Sequence, residues 1–330
     1  MDMPLLPDTQ AREGTQVLSA APAKLYALLL QLRPIQEGTL MSFSGELVHA
    51  AWLSWLRSAA PDVATWLHEG NKRRLFTCSS LQFPQASIVE AERNNIHLPL
   101  TPEKIYTIRI TLLLGELFPL FYKALTNFQQ SSMRGGVTPP FMRLAKQSLL
   151  LEEVVIDNYT PMGWTGFTSF ADMVEAVRKK KLGGVKPLKL EFASLTSFNR
   201  GNAQNRAYGN HSARLPLPYY VFPYLAKRWQ ELAPPELAQL VQREAIEQYI
   251  TDEGIIISDY DFKPHTVKFT THWQLGFIGN CTYSLRGPDE PTTADAPLTV
   301  RQQLLLLAEL AFYTGVGYKT AMGMGRTRWI

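Results

Sequence analysis

The apolar and polar positions in the first half of the chain follow two different periods. The segments KLYALLLQLRP, LFTCSSLQF, KIYTIRITLLL and QSLLLEEVVIDNY have the short, apolar character of buried strands. Two other segments, SGELVHAAWLSWLRSAAP from near Ser44 and GELFPLFYKALTNF, repeat their apolar residues with the period of an amphipathic helix. In chain order these elements read β-α-β-β-α-β, which is the split unit of a ferredoxin-like sandwich.

The same order recurs in the second half. A predicted helix from Phe170 to Lys181 leads into LGGVKP, whose glycines and proline are typical of a linker. The strands predicted beyond it are PLKLEFASLTSF, GIIISDYDF with HTVKFTTHWQLGF, NCTYSL and GRTRWI, and the helices are PYYVFPYLAKRWQEL, PELAQLVQREAIEQYI and LTVRQQLLLLAELAFYTG. We therefore predict an α+β protein of two tandem ferredoxin-like (RRM-like, βαββαβ) domains, an N-terminal one over residues 20–182 and a C-terminal one over residues 185–330.

Composition agrees with two packed domains. The chain has 330 residues, of which 45% are hydrophobic and 19% charged, and this is the balance of a soluble globular protein. No apolar run approaches the ~18 residues that a membrane helix needs, and the first residues lack the pattern of a signal peptide, so we expect a cytoplasmic protein with no membrane partner. Cys78 and Cys281 lie far apart in sequence, which favours two reduced cysteines over a disulfide or a zinc site.

The charge distribution says more than the net charge of +4. Residues 117–151, 176–190 and 192–230 contain no Asp or Glu. Basic residues in these stretches include Arg134, Arg143, Lys146, Arg178 to Lys181, Arg200, Arg206 and Arg214. In FNRGNAQNRAYGNHSARLP, arginines are interleaved with Asn, Tyr and His, a mixture that can grip phosphates and stack on unpaired bases. We favour RNA or another polyanion as a partner over a merely solvated loop.

The sequence GVGYKTAMGMG, over residues 315–325, is the most specific local signal. Thr299 and Gln302 have the spacing of a capping box, and Gly315 falls where the C-terminal cap of the same helix belongs. The glycines therefore follow a helix, whereas a dinucleotide fingerprint follows a strand, and Tyr318 stands where a phosphate-loop motif requires Gly. With both nucleotide motifs excluded, the segment is predicted to be a helix-to-strand loop beside three cations. The loop is either a phosphate cradle or a turn required by chain geometry. The residues that would hold RNA here are Gly315, Gly317, Lys319, Gly323, Gly325, Arg326 and Arg328.

These motifs resemble a known family. GVGYKTAMGMG is similar to the glycine-rich loop of the RAMP superfamily, and LEFASLTSF followed by PLPYYVFPYLAKRW resembles the start of the second domain of its CRISPR-associated repeat-RNA endoribonucleases (the Cas six family), with Leu195 where Pro is common. GFIGNCTYSL and WLHEGNKRRLFTCSSL resemble further segments of that family. The resemblance implies two tandem ferredoxin-like domains and metal-independent cleavage of the CRISPR repeat in precursor RNA.

Histidine chemistry suits that activity. RNA supplies its own nucleophile, the 2′-hydroxyl, so an enzyme needs only to align it with the phosphate and to move protons. The six histidines show no metal-ligand spacing, and we expect no metal and no other cofactor. His49 lies at the edge of the apolar face of its helix, where it could reach substrate, and catalytic histidines of the family commonly lie on or just before this helix. A structural histidine is the alternative.

Other residues complete the predicted site. Tyr26, Ser42 and Ser44 are candidate proton-relay partners of His49. His68 precedes the basic run of Lys72, Arg73 and Arg74, so we assign that run to RNA binding and His68 to a structural or phosphate-contacting role.

Two functions of different class fit these residues. The first is an endoribonuclease that matures precursor CRISPR RNA by 2′-hydroxyl attack, leaving a 2′,3′-cyclic phosphate and a 5′-hydroxyl. The second is a non-catalytic RAMP-type subunit that holds guide RNA within a CRISPR effector complex, with other effector subunits as partners. The glycine-rich loop, which we expect to bind RNA rather than perform the chemistry, fits both, and His49 favours the first. A small-molecule enzyme on this fold lacks an acid-base cluster in the sequence.

Overall fold

The computed structural model describes residues 24–69, 75–83, 88–132, 141–157, 163–180, 187–199, 212–287 and 298–330. Two ferredoxin-like units follow one another along the chain, so the predicted fold is confirmed. The elements of the first unit are β1 (Lys24–Pro34), β2 (Gly38–Met41), α1 (Gly45–Ala59), α2 (Pro61–Glu69), β3 (Phe76–Cys78), α3 (Ile88–Arg93), β4 (His97–Leu100), β5 (Tyr106–Leu112), α4 (Leu117–Ser132), β6 (Phe141–Leu144), β7 (Gln147–Val155), β8 (Gly166–Ser169) and α5 (Phe170–Lys179).

The second unit begins with the strand that the sequence places after the linker. Its elements are β9 (Leu188–Thr196), β10 (Phe198–Asn199), β11 (Ser212–Ala213), α6 (Pro218–Leu232), α7 (Pro235–Ala238), α8 (Arg243–Thr251), β12 (Ile255–Lys268), β13 (Trp273–Leu285), α9 (Val300–Thr314) and β14 (Thr327–Trp329). The linker LGGVKP lies almost entirely outside the described residues.

The two main sheets share one topology. The first has the order β3-β5-β1-β7-β6, with β8 beside the N-terminal end of β1, and the second has the order β12-β13-β9-β14. In each unit the first strand is central and is flanked by the third and fourth strands of the βαββαβ unit, antiparallel to both. This is the strand arrangement of a ferredoxin-like fold.

Strand β1 is apolar on both faces because both faces are covered. Leu28, Leu30 and Leu32 face α1 and α4 in the core of the first unit. Leu25 and Ala27 point to the opposite face and join the core of the second unit. The two domains therefore share a continuous apolar contact.

Helix α5 also belongs to that contact. It lies within the predicted N-terminal domain, but its buried side chains pack in the core of the second unit, beside α9. These side chains are Phe170, Met173, Val174 and Val177.

The end of helix α9 is capped by the first domain. Arg109 Nη2 donates a hydrogen bond of 2.7 Å to the carbonyl of Phe312, and Thr111 Oγ1 donates one of 2.8 Å to the carbonyl of Tyr313. Carbonyls in the last turn of a helix have no partner within the helix, and a cation there interacts favourably with the helix dipole. The start of α9 has the predicted capping box of Thr299 and Gln302.

Several elements differ from the sequence prediction. PELAQLVQREAIEQYI is broken into α7 and α8, and LFTCSSLQF contributes only three residues of strand. The small sheet of β2 with β4, and helices α2 and α3, have no counterpart in the prediction.

Candidate active site

The glycine-rich loop connects α9 to β14 as a closed loop. Val316 N donates to Gly325 O at 2.8 Å, which brings the two ends of the loop together, and Gly325 N donates to Leu195 O at the end of β9. Gly315 caps α9 with a φ of 63°, as the sequence predicts. Thr320–Met322 form a short 3-10 helix at the far side of the loop.

That far side is packed against the first domain. Gly323 N donates a 3.0 Å hydrogen bond to Cys78 O. Gly323 has a φ of 91°, and a Cβ atom added to it would lie 3.0 Å from the Cα of Gly45, at the start of α1. A Cβ atom on Gly45 would in turn lie 2.1 Å from the carbonyl oxygen of Met322. Two glycines, one from each domain, thus allow the backbones to touch.

The structure bears on the two explanations that the sequence leaves open for these glycines. A phosphate cradle needs open space beside Gly317 and Gly323, whereas a turn required by chain geometry does not. In the structure the space beside each is filled by the protein itself, and a Cβ atom on Gly317 would lie 2.4 Å from the carbonyl oxygen of Ser197. Glycine is thus required by chain geometry, while RNA binding by the loop stays a prediction.

His49 lies at this contact. Its Nδ1 atom is 2.9 Å from the carbonyl oxygen of Ala321 in the glycine-rich loop, and its ring stacks on Phe76 with a centroid distance of 5.4 Å. A carbonyl only accepts hydrogen bonds, so Nδ1 carries the proton, and in the neutral ring Nε2 is the basic nitrogen. His49 is only 7% exposed, more buried than an edge position predicts, because the loop of the other domain covers it.

Of the three predicted relay partners, Tyr26 lies on β1, and Ser42 and Ser44 lie just before α1. Tyr26, on β1, stacks on Phe118 at 4.6 Å, and burial raises the pKa of its phenol. Ser44 Oγ accepts from Leu81 N at 2.9 Å. The hydroxyl of Ser42 is buried and has no hydrogen-bond partner among the described residues. Their assistance to His49 stays a prediction.

A polar cluster lies beside the loop, formed by Glu46, Thr270, His272 and Lys319. Lys319 Nζ lies 3.2 Å from His272 Nε2 and 3.7 Å from the ring centroid of Phe269. The carboxylate of Glu46, in the first turn of α1, accepts two 2.7 Å hydrogen bonds from the backbone N–H and the hydroxyl of Thr270. Burial lowers the pKa of Lys319, and the charge of Glu46 opposes that effect.

Sequence reasoning missed His272 as part of the site. It lies in the turn between β12 and β13, and only the folded hairpin brings it to Lys319. The exposed ring is fixed in place, because it stacks on Phe269 at 5.2 Å and its Nδ1 lies 3.0 Å from Thr271 Oγ1.

Three arginines surround Trp164 between the domains. The guanidinium carbons of Arg109, Arg326 and Arg328 lie 5.4, 4.7 and 4.4 Å from its ring centroid. Arg328 is paired with Glu191 at 2.5 Å. Burial lowers the pKa of Arg109 to about 9, and the charges of Arg326 and Arg328 lower it further. Burial lowers the pKa of Arg326 to about 10; the charges of Glu191 and Glu92 oppose this effect, and Arg328 adds to it by a smaller amount.

Arg326 is the least satisfied member of this group. Its Nε atom is buried without a hydrogen-bond partner among the described residues, and its two contacts, to Gln82 Oε1 and Ala193 O, are both 3.5 Å long. Arginine keeps its charge in proteins, so the three guanidiniums outnumber Glu191 and Glu92, the two carboxylates whose charges act on Arg326.

Of the other residues predicted to bind RNA, the structure describes only Arg214. Arg214 is exposed just after β11. His68 is exposed at the end of α2. The predictions for Lys72, Arg73, Arg74, Arg200 and Arg206 lie outside the described residues.

The described residues contain no group of three His, Cys, Asp or Glu side chains arranged to hold a metal ion. None of the helices in those ranges is long and apolar enough to cross a membrane.

The fold and the site define a two-domain ferredoxin-like protein whose domains meet at a C-terminal glycine-rich loop. Two family models match the chain: CRISPR-associated endoribonuclease Cas6 over residues 190–327, and the CRISPR Cas6 N-terminal domain over residues 24–136. The chain belongs to the Cas6 family of CRISPR-associated endoribonucleases.

Solved structures agree on the fold. A Thermus thermophilus Cas6 in a product complex has 23% sequence identity and a TM-score of 0.67, covering 93% of this chain and 100% of its own. A second structure of that protein has 22% identity and a TM-score of 0.60, with coverages of 94% and 100%. A product complex of another Cas6 has 21% identity and a TM-score of 0.60, with coverages of 93% and 99%. The comparison with curated protein sequences returns no match.

Proposed function

We propose that this protein cleaves the CRISPR repeat in precursor RNA to release mature guide RNAs, using no metal and no other cofactor. The observation that carries the proposal is the position of His49, held by the glycine-rich loop of one domain on the first helix of the other. Membership of the Cas6 family supports RNA as the substrate, and two of the similar Cas6 structures are product complexes.

The proposed reaction is a transesterification within the RNA. The 2′-hydroxyl attacks the adjacent phosphorus, the P–O5′ bond breaks, and the products are a 2′,3′-cyclic phosphate and a 5′-hydroxyl. His49 accepts the proton of the 2′-hydroxyl at Nε2, since Nδ1 already donates to the Ala321 carbonyl. The carbonyl fixes the orientation and the tautomer of the ring. A general base needs both, so that its basic nitrogen meets the aligned hydroxyl.

RNA would lie along the contact between the domains. Lys319 projects from the glycine-rich loop, and Arg326 and Arg328 follow it at the start of β14. The excess positive charge around Trp164 favours a polyanion, because buried cations are costly without a counter-charge. We also assign Arg214 and the basic residues outside the described ranges to RNA binding.

The test is cleavage of the host's own repeat RNA in EDTA. We expect one cut, with a 5′ fragment that ends in a cyclic phosphate. Cleavage that stops in EDTA and returns with Mg²⁺ would contradict the metal-independent mechanism. Tight binding without cleavage under either condition would favour the alternative, a RAMP-type subunit that holds guide RNA in an effector complex.

A further inference from the structure

Cleavage of RNA by its own 2′-hydroxyl requires two proton transfers. One proton leaves the attacking hydroxyl, and another must reach the departing 5′-oxygen, whose charge would otherwise build up in the transition state. The proposed function gives the first transfer to Nε2 of His49. Nδ1 of the same ring is hydrogen-bonded to the Ala321 carbonyl and faces the protein. A second group is therefore needed at the 5′-oxygen.

The polar cluster beside the loop contains a group that can supply it. Lys319 lies two residues before Ala321, the residue that holds His49, in the tight turn ahead of the 3-10 helix. Glu46 lies three residues before His49, on the same face of α1, and is hydrogen-bonded to Thr270 of the hairpin. The contacts thus connect α1, the hairpin and the loop, and His49 lies on the first of these elements and is hydrogen-bonded to the last.

The environment of the Lys319 ammonium suits a proton donor. One of its protons points to Nε2 of His272, which must be the acceptor because an ammonium has no lone pair. Its other faces meet the ring of Phe269 at 3.7 Å and the ring of Tyr318 at 5.5 Å. The residue has a φ of 55°, a conformation that costs energy for a side chain other than glycine and is often found at functional sites.

We infer that Lys319 is the catalytic acid of this enzyme, and that His272 is the residue that positions it. The O2′–P bond forms as the P–O5′ bond breaks. The 2′-hydroxyl proton goes to His49, and an ammonium proton of Lys319 goes to O5′, which leaves as a hydroxyl. His49 ends the step as imidazolium and Lys319 as amine, and exchange with solvent restores both. The inference rests on the proposed function and adds chemistry to a loop that the sequence alone assigns to RNA binding.

Partial burial supports this assignment. Burial lowers the pKa of Lys319 toward the pH at which the enzyme works. A catalytic acid is most effective when its pKa lies near that pH. Glu46 on α1 acts in the opposite direction, and His272 faces the ammonium from the hairpin.

An RNA substrate with one oxygen replaced by sulfur distinguishes the catalytic acid from the catalytic base. When the bridging 5′-oxygen at the cleavage site is replaced by sulfur, the leaving group is a thiolate, which departs without protonation. Single-turnover rates at saturating protein are compared for the wild type, Lys319→Met and His49→Ala on the oxygen and the sulfur substrates. Lys227→Met, an exposed lysine on α6, is the matched control.

The expected pattern is specific. On the oxygen substrate, Lys319→Met lowers the rate by ~10² to 10⁴. On the sulfur substrate, Lys319→Met is expected to cleave at a rate within a few-fold of the wild-type rate. His49→Ala is expected to stay slow on both substrates. Lys319→Gly, which suits the positive φ at this position, is expected to behave like Lys319→Met if the methionine variant does not fold.

The positioning role of His272 is tested with the same two substrates. His272→Leu is expected to lose about tenfold on the oxygen substrate and almost nothing on the sulfur substrate, because only protonation of the leaving group is affected. His272→Gln keeps an acceptor for the ammonium and is expected to recover most of the loss.

Three results would overturn parts of the account. If Lys319→Met is equally slow on both substrates and binds RNA more weakly, Lys319 only binds RNA. If sulfur restores His49→Ala instead, the two roles are reversed. If the wild type cleaves neither substrate, the proposed function itself fails.

Discussion

The Nδ1 atom of His49 and the carbonyl oxygen of Ala321 lie 2.9 Å apart, although the two residues are separated by 272 positions and belong to different domains. The site therefore exists only when the domains are docked. The carbonyl also decides which nitrogen of the ring is basic, because it can accept a hydrogen bond but cannot donate one.

The role of His49 is tested most simply by removing its imidazole ring. His49→Ala is expected to lower the single-turnover cleavage rate by ~10² to 10⁴, the loss typical of a missing general base, with little change in RNA affinity. His97→Ala, at an exposed histidine on β4, is the matched control. A rate within a few-fold of wild type would move the base assignment to His68 or to a relay without histidine. A lower melting temperature with an unchanged rate would show that His49 is structural.

The close approach of the domains can be tested at Gly323. Gly323→Ala forces a side chain into a φ of 91° and places its Cβ 3.0 Å from Gly45 Cα and from Ser80 Oγ. We expect a loss of stability of about 1 to 3 kcal/mol from the backbone conformation, with a further loss from the contact. Gly287→Ala is the control, since Gly287 has a φ of 92° but nothing within 4 Å of the added atom.

The two variants are compared by chemical denaturation and by cleavage rate. Gly323→Ala is expected to be the less stable and the slower, because the loop that holds His49 must shift. Equal losses of stability with equal rates would show that the contact between Gly45 and Gly323 does not control the site.

Because Arg109 caps α9, its replacement is expected to lower the stability of the protein. Arg109→Met keeps the length of the side chain but leaves the carbonyls of Trp164 and Phe312 without their donor. Each unpaired buried carbonyl costs about 1 to 3 kcal/mol, so the free energy of unfolding is expected to fall by at least that amount. Arg143→Met, at an exposed position of the same sheet, is expected to change it by less than about 0.5 kcal/mol. Equal stability of the two variants would rule out a capping role.

The arginines around Trp164 are tested by the dependence of RNA affinity on salt. Each cation that contacts a phosphate of single-stranded RNA adds about 0.7 to the slope of log affinity against log salt. Arg326→Gln and Arg328→Gln are each expected to reduce the slope by that amount and to leave the cleavage rate at saturating protein largely intact. Arg243→Gln, on α8 and paired with Glu247, is the control. Unchanged slopes for both variants would make the cluster purely structural and place the RNA path elsewhere.

The sequence was sufficient for the architecture because that architecture depends on local periodicity. The apolar run of β1, the capping box of α9 and the glycine at its end all have local signatures, and the structure has them where they were expected. The short sheet of β2 and β4 was missed because its four-residue strands pair across the 55 positions between Met41 and His97 and carry little pattern of their own.

The site was predicted only in part. His49 and the loop could be named separately, but their contact depends on how the domains dock, which no local pattern encodes. His272, brought to Lys319 by a hairpin turn, and Arg109, which lies 55 positions before Trp164 in the same domain, could not be found from the sequence because contacts between distant positions leave no local pattern. The glycines were recognised as sites of close approach, but the approaching group is the protein's own backbone.

The reaction proposed for this protein depends on the RNA's own 2′-hydroxyl, which His49 activates. The decisive experiment compares the host's repeat RNA with the same RNA carrying a single 2′-deoxy substitution just upstream of the cut, in EDTA and at saturating protein. We expect equal binding of the two RNAs, cleavage of the unmodified RNA to a 2′,3′-cyclic phosphate, and no cleavage of the deoxy RNA. Cleavage of the deoxy RNA at the same position would show that the 2′-hydroxyl is not the nucleophile.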